Sequence, residues 1–174
     1  MSARHQASKS RRVPATAGAV LRQFGATAHQ FQSLEYTLAN VLAQVFGPGP
    51  TKQTSGQVRK EIEANFRKSA GTLRSELARV LGGTAPLVAA VAKAVARRNF
   101  LAHHFFRERA AEYSTPQGRR RLVRELVRDQ RLFFSVDRRL LLAYRRWLLS
   151  HGVSREEIDA VWPMALLPRK RRRG

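Results

Sequence analysis

Four long stretches of this chain carry apolar residues at steps of three and four. This spacing collects apolar side chains on one face of an α-helix, whose repeat is 3.6 residues. No stretch shows the strict apolar–polar alternation that is typical of a half-buried strand. The pattern therefore predicts an all-α protein with four long helices and a short fifth. Because the connections are short, we expect an antiparallel bundle.

The helix boundaries follow from residues that start or stop helices. Gly47-Pro48-Gly49-Pro50 ends the first helix, whose apolar face begins at Leu21. Gly71 lies inside the second and weakens its continuity. Thr115 before Pro116 is a typical helix start, and Glu157 follows Ser154 at the spacing of a capping box. The predicted helices span about 18–46, 56–81, 86–106 and 116–150, with a fifth from Ser154 to before Pro163.

Charge is the dominant feature of the composition, with 33 Lys and Arg against 12 Asp and Glu and a formal net charge of +21. Nine cations lie in two terminal segments, and the other +12 is spread over the rest. We expect a disordered basic arm over 1–14, a helical domain over 15–163 and a basic tail over 164–174. Such a charge favours a polyanionic binding partner, with nucleic acid as the first candidate and an acidic membrane as the second. The alternative is a surface that drifted basic in an Arg-rich proteome.

Several classes of protein are disfavoured by what the sequence lacks. There are no cysteines, which rules out disulfides, thiolate zinc sites and a cysteine nucleophile. The segment from Met1 to Arg12 has no apolar core of a secretory signal, and no apolar run reaches the length of a membrane span. We therefore expect a soluble, cytoplasmic protein without a membrane span.

One arginine and one carboxylate occupy unusual places on the predicted helices. Arg98 falls among the apolar residues of the third helix, where a guanidinium is costly to bury unless a carboxylate or phosphate meets it. Glu35 falls within the apolar stripe of the first helix. The two residues suggest a pair in which Glu35 positions Arg98 for function. The alternatives are an arginine that reaches out from the edge of the stripe, or a purely structural ion pair.

Asn99 and His103 share a helical face at a spacing of four residues, and His104 follows directly. Imidazole titrates near neutrality, so two histidines near an inward-facing arginine are candidate acid–base catalysts. A lone histidine is nevertheless more often structural. A metal site is disfavoured, because no acidic residue or third histidine stands at a matching step and Arg98 would repel the ion. We expect no cofactor.

The segment Arg98-Asn99-Phe100-Leu101-Ala102-His103 resembles the Arg-polar-x-x-x-His motif of the HEPN superfamily, which comprises helical bundles of RNA-targeting toxins and defence proteins. Glu35 resembles the acidic position on the first helix of many members. The resemblance covers roughly residues 18–150. It implies an HEPN-like fold and metal-independent RNA cleavage in a homodimer, with the two motifs meeting at one cleft.

Carried over to this chain, the resemblance makes His103 the acid–base residue and Arg98 the phosphate clamp. Asn99 would orient backbone, phosphate or His103, and His104 could replace His103 because the spacing varies in the family. The histidine would activate the ribose 2′-hydroxyl and leave a 2′,3′-cyclic phosphate. Partners implied are RNA and an antitoxin or other regulatory protein.

Two departures from the family pattern bear on these expectations. Some members carry a tyrosine, two residues after the histidine, that a partner nucleotidyltransferase modifies; Phe105 stands there in this chain. In addition, Arg98 and His103 lie about 140° apart on an ideal helix, so they converge only if the helix bends or a second subunit supplies one of them. The competing hypotheses are a non-catalytic basic module that binds nucleic acid or protein, and basic arms that deliver the domain to ribosomes or nucleoid.

Overall fold

The structure, a computed structural model, describes residues 16–45, 55–66, 68, 70–81 and 86–161. All elements in these ranges are α-helices, as predicted, and none is a strand. They are α1 (Ala17–Val45), α2 (Ser55–Phe66), α3 (Ala70–Leu81), α4 (Pro86–His103), α5 (Phe105–Glu108), α6 (Ala110–Ser114), α7 (Pro116–Ser150) and α8 (Arg155–Val161). The predicted basic arm and tail, Phe46 and Pro163 lie outside the described residues.

The start signals of the last two helices work as predicted. The Thr115 hydroxyl accepts a hydrogen bond from the backbone N–H of Gly118 at 3.0 Å, which caps α7. At α8 the Ser154 backbone N–H donates to Glu157 at 2.8 Å, and the Glu157 N–H donates to the Ser154 hydroxyl at 3.1 Å. These bonds lower the pKa of Glu157, the backbone bond most. The capping box is confirmed.

The prediction of one long second helix is wrong. The chain forms α2 and α3 as two separate helices, and α3 begins at Ala70, directly before Gly71. Glycine costs about 1 kcal/mol relative to alanine inside a helix, which makes this stretch the weakest point of the predicted helix. The Lys68 ammonium contacts Glu76 at 2.8 Å and ties the break to α3.

The relative direction of the first and last long helices also departs from the prediction. Residues of α1 contact residues of α7 in rising order along both helices, in the pairs Thr27–Leu126, Phe31–Phe133, Thr37–Asp137 and Gln44–Tyr144. These two helices therefore run parallel. Five helices, α2 to α6, lie between them in the chain, so the simple alternation of four long helices does not hold.

α4 runs antiparallel to α1, whereas the third helix of an alternating antiparallel bundle would run parallel to the first. Arg98 contacts Phe31 and Glu35 in the middle of α1, and Phe105, just beyond α4, contacts Phe24 nearer the start of α1. The predicted third helix ends earlier than expected, at His103 rather than Phe106. The chain then forms the short helices α5 and α6, and the rings of Phe24, Phe105 and Phe106 pack together at this corner.

A continuous apolar core lies between α1, α3, α4 and α7, with Phe31, Leu38, Val91 and Phe133 among its buried residues. Leu21 is an exception to the predicted apolar face of α1, because 52% of it is exposed. Within the described ranges, no helix is both long and apolar enough to cross a membrane.

Candidate functional site

Arg98 lies on α4 with its side chain directed towards α1. Its guanidinium is 3.7 Å from the Glu35 carboxylate and 5.2 Å from the centre of the Phe31 ring. A second contact comes from its neighbour, because Arg98 donates to the Asn99 side-chain oxygen at 3.3 Å. The structure therefore brings together Arg98, Glu35 and Asn99, including the ion pair that the sequence suggested.

This ion pair lies at the edge of the core rather than inside it. The side chains of Arg98 and Glu35 are 35% and 27% exposed. Burial raises the pKa of Glu35, and the opposing charge of Arg98 only partly offsets that effect. The prediction that both residues face the interior is thus corrected, since the long arginine side chain extends from the apolar stripe towards solvent. An exposed face of this guanidinium is compatible with a bound phosphate.

His103 occupies the last turn of α4 and is exposed. Its ring has the His104 ring at 6.2 Å as a neighbour, and no described residue forms a hydrogen bond or ion pair with it. Asn99 is also exposed and precedes His103 by one helical turn, so the two side chains share a face. Both ring nitrogens of His103 are therefore open to a ligand.

His104 is engaged with its own neighbours. Its Nδ1 atom is 2.8 Å from the Arg107 guanidinium and 3.7 Å from the Glu108 carboxylate. Because a guanidinium only donates hydrogen bonds, Nδ1 is the acceptor in the contact with Arg107. This arrangement occupies the basic nitrogen of His104 and distinguishes it from His103.

α4 continues without interruption from Pro86 to His103, and the His104 N–H still bonds to the Phe100 carbonyl at 2.9 Å. No bend therefore reduces the separation of about 140° between Arg98 and His103. One chain presents the arginine towards α1 and the histidine on another side of α4. The structure does not bring the two motif residues together within one chain.

The most strongly bound cation of α4 is Arg97, which the sequence analysis did not single out. Its guanidinium donates to Asp129 at 2.8 Å and also to Glu125, both on α7. Only 23% of the Arg97 side chain is exposed. Burial lowers the pKa of Arg97, but its bonds to the two carboxylates outweigh that effect and the pKa is raised. Burial raises the pKa of Asp129 despite the bond to Arg97.

A second arginine completes this cluster. Arg109 contacts Glu125 at 3.3 Å, and the guanidiniums of Arg97 and Arg109 lie 4.5 and 5.3 Å from the centre of the Phe100 ring. Such cation–π contacts add to the ion pairs. The sequence contains one indication of this cluster. Asp129 is a carboxylate within the apolar stripe of α7, three residues after Leu126 and four before Phe133.

Within the described ranges, no three His, Asp or Glu residues are grouped so that they could hold a metal ion.

Comparisons with known proteins identify no relative: no family model, no curated protein and no solved structure matches this chain.

Proposed function

We propose that this protein is a metal-independent endoribonuclease of the HEPN type, built on an HEPN-like helical bundle and acting as a homodimer in the cytoplasm. The observation that supports this best is the surface of α4. A guanidinium held by Glu35 and Asn99 lies on the same helix as an exposed histidine with both nitrogens open. These are the two groups that phosphodiester cleavage through the 2′-hydroxyl requires.

In the proposed reaction His103 accepts the proton of the ribose 2′-hydroxyl. The 2′-oxygen forms a bond to the adjacent phosphorus, and the bond from phosphorus to the 5′-oxygen breaks. A proton from a second acid or from water goes to that leaving oxygen, and a 2′,3′-cyclic phosphate remains. Arg98 stabilises the negative charge on the phosphoryl oxygens, and Glu35 and Asn99 keep it in position.

The choice of His103 over His104 rests on their contacts. Arg107 occupies the basic nitrogen of His104, whereas no described residue occupies those of His103. The angle between Arg98 and His103 supports a composite site, in which one chain supplies the arginine and its partner the histidine. A toxin or defence effector with a regulatory partner is the setting that this activity suggests.

The activity is tested with purified protein and single-stranded and structured RNAs in the presence of EDTA. We expect cleavage products with 2′,3′-cyclic phosphate ends, reduced at least about a hundredfold in His103→Ala and Arg98→Ala. His151→Ala and Arg74→Ala are matched controls, since both residues are exposed and lie on other helices or turns. Intact RNA with the unaltered chain, or equal losses in the controls, would refute the proposal.

The second candidate function is a non-catalytic module that binds nucleic acid or a protein. The ion pair between Arg98 and Glu35 favours it, because a structural role explains such a pair without any chemistry. Under this hypothesis, the Arg98→Ala variant has a lower melting temperature than the unaltered chain. Neither the unaltered chain nor any variant cuts RNA. Melting curves recorded beside the cleavage assay separate the two functions.

A further inference from the structure

The long helix α7 separates its charges by side. It carries ten arginines and three carboxylates. All three carboxylates are directed into the fold: Glu125 and Asp129 bind Arg97, and Asp137 bonds with Thr37 of α1. The outward side of α7 therefore carries more arginines than the carboxylates of the helix can neutralise, although Asp129 also attracts Arg128.

Four of these arginines form a row that we call the arginine stripe, consisting of Arg121, Arg124, Arg128 and Arg131. They recur at steps of three, four and three residues, so they share one helical face, and all four are exposed. No described carboxylate forms an ion pair with any of them within 4.0 Å. At about 1.5 Å per residue, the stripe places four positive charges along about 15 Å.

A groove of about 650 Å³ runs along the stripe. Val123 and Val127 contribute to its lining, and so does Arg109, whose charge is paired with Glu125. Its two carboxylates are Glu112 and Glu125, and Glu125 is already matched by Arg97 and Arg109. Glu112 therefore opposes the four arginines of the stripe, and the groove keeps an excess of positive charge.

We propose that the arginine stripe and its groove bind the phosphate backbone of a nucleic-acid strand. A backbone is a linear array of negative charges, one per about 3.4 Å of axis on each strand of a duplex, and a straight row of guanidiniums matches such an array. Arginine also contacts phosphate through two parallel hydrogen bonds. An acidic membrane fits less well, because the exposed large apolar side chains of α7, Phe134, Leu142 and Leu149, lie beyond Arg131 and none lines the groove, whereas a membrane-bound helix needs an apolar face.

This inference rests on the proposed function in one respect. If the protein cleaves RNA, the strand that the arginine stripe binds is the RNA that reaches Arg98 and His103 on α4. The two are nevertheless tested separately, because binding is measured on chains that do not cut. All chains in the test therefore carry His103→Ala and are otherwise full length.

The stripe variant replaces Arg121, Arg124, Arg128 and Arg131 with glutamine, which removes four charges and keeps a good helix former. The control variant makes the same change at four exposed cations on other helices, Lys60, Arg74, Lys93 and Arg155. Because all eight residues are exposed, we expect both variants to keep the fold, and melting curves check this. A double variant, Arg124→Gln with Arg128→Gln, provides a milder second test.

Binding of a short oligouridine and of the matching oligothymidine is measured by fluorescence anisotropy over a range of salt concentrations. For the stripe variant we expect affinity to fall more than about tenfold and the slope of log K against log salt to shrink by up to about 3 with both strands. The double variant should show about half that change in slope. The control variant, with the same net charge, should change affinity by less than about threefold.

The proposal is overturned if the stripe and control variants lose equal affinity, which would mean that only total charge matters. It is also overturned if the stripe variant loses binding to phosphatidylserine vesicles while its binding to both oligonucleotides is unchanged. RNA cleavage failing in the unaltered chain would refute the ribonuclease and leave these binding results interpretable.

Discussion

Two adjacent arginines of α4 have opposite surroundings. Arg97 points to α7, where it bonds to two carboxylates and covers the ring of Phe100, whereas Arg98 points to α1 and stays about one-third exposed. Neighbouring positions on a helix differ by about 100°, which is enough to send two identical side chains to different helices. The first is suited to joining helices and the second to meeting a ligand.

The difference predicts unequal costs of truncation. Arg97→Ala leaves Asp129 and Glu125 as partly buried carboxylates without their main partner, and we expect it to lower the free energy of unfolding by about 3 kcal/mol. Arg98→Ala breaks a more exposed pair and should cost less than about 1 kcal/mol. Urea denaturation followed by circular dichroism measures both. An equal or reversed order would contradict the assignment of Arg97 as the structural residue.

At the scale of elements, the passage from α6 into α7, the helix that carries the arginine stripe, is tight. The Thr115 side chain caps α7, and Gly118 in its first turn is buried against the backbone of Glu112 in α6. A Cβ atom at Gly118 would stand 2.0 Å from the Glu112 carbonyl oxygen. Glycine is needed here because the two helices touch, and its left-handed freedom plays no part.

Gly118→Ala should therefore destabilise the protein, because the backbone of α6 must move away from α7. We expect a loss of about 1–3 kcal/mol, the usual range for overpacking. Gly25→Ala is the matched control: Gly25 lies inside α1 with nothing within 4 Å of its added Cβ, and the change should stabilise by about 0.5–1 kcal/mol. Thermal and urea unfolding compare the pair. Equal effects at the two sites would show that α6 does not pack on Gly118 in this way.

At the scale of the whole molecule, the unbroken α4 keeps the two motif residues apart in one chain. A single copy thus presents Arg98, the proposed clamp, and His103, the proposed acid–base residue, on different sides of α4. Pairing of two chains about a two-fold axis repeats each residue and can oppose the arginine of one copy to the histidine of the other. The proposed catalytic site then belongs to the dimer.

This arrangement predicts complementation between two inactive variants. When Arg98→Ala and His103→Ala chains are mixed and allowed to exchange, half of the dimers become mixed, and each of these holds one site with both residues intact. We expect the mixture to recover about a quarter of the normal cleavage rate, while each variant alone stays inactive. Failure to recover, in a mixture shown to exchange subunits, would place Arg98 and His103 of the same chain in one site.

The sequence by itself determined where most helices begin and end, and it determined the pairing of Arg98 with Glu35. Thr115-Pro116 and Ser154 with Glu157 start helices through contacts within one turn, and apolar steps of three and four follow directly from the helical repeat. Such signals are local, so no knowledge of neighbouring helices is required to interpret them. The catalytic roles of His103 and Arg98 came from resemblance and stay a prediction.

Only the tertiary structure decided which helices face one another and in which direction. Contacts between α1 and α7 show that the two helices are parallel where an antiparallel relation was expected, and Arg97 rather than Arg98 proved the better buried cation. The surroundings of an arginine depend on residues far away in sequence, here Glu125 and Asp129. Periodicity shows that a face is apolar, but the free energy of burying a charge depends on the partner that another helix supplies.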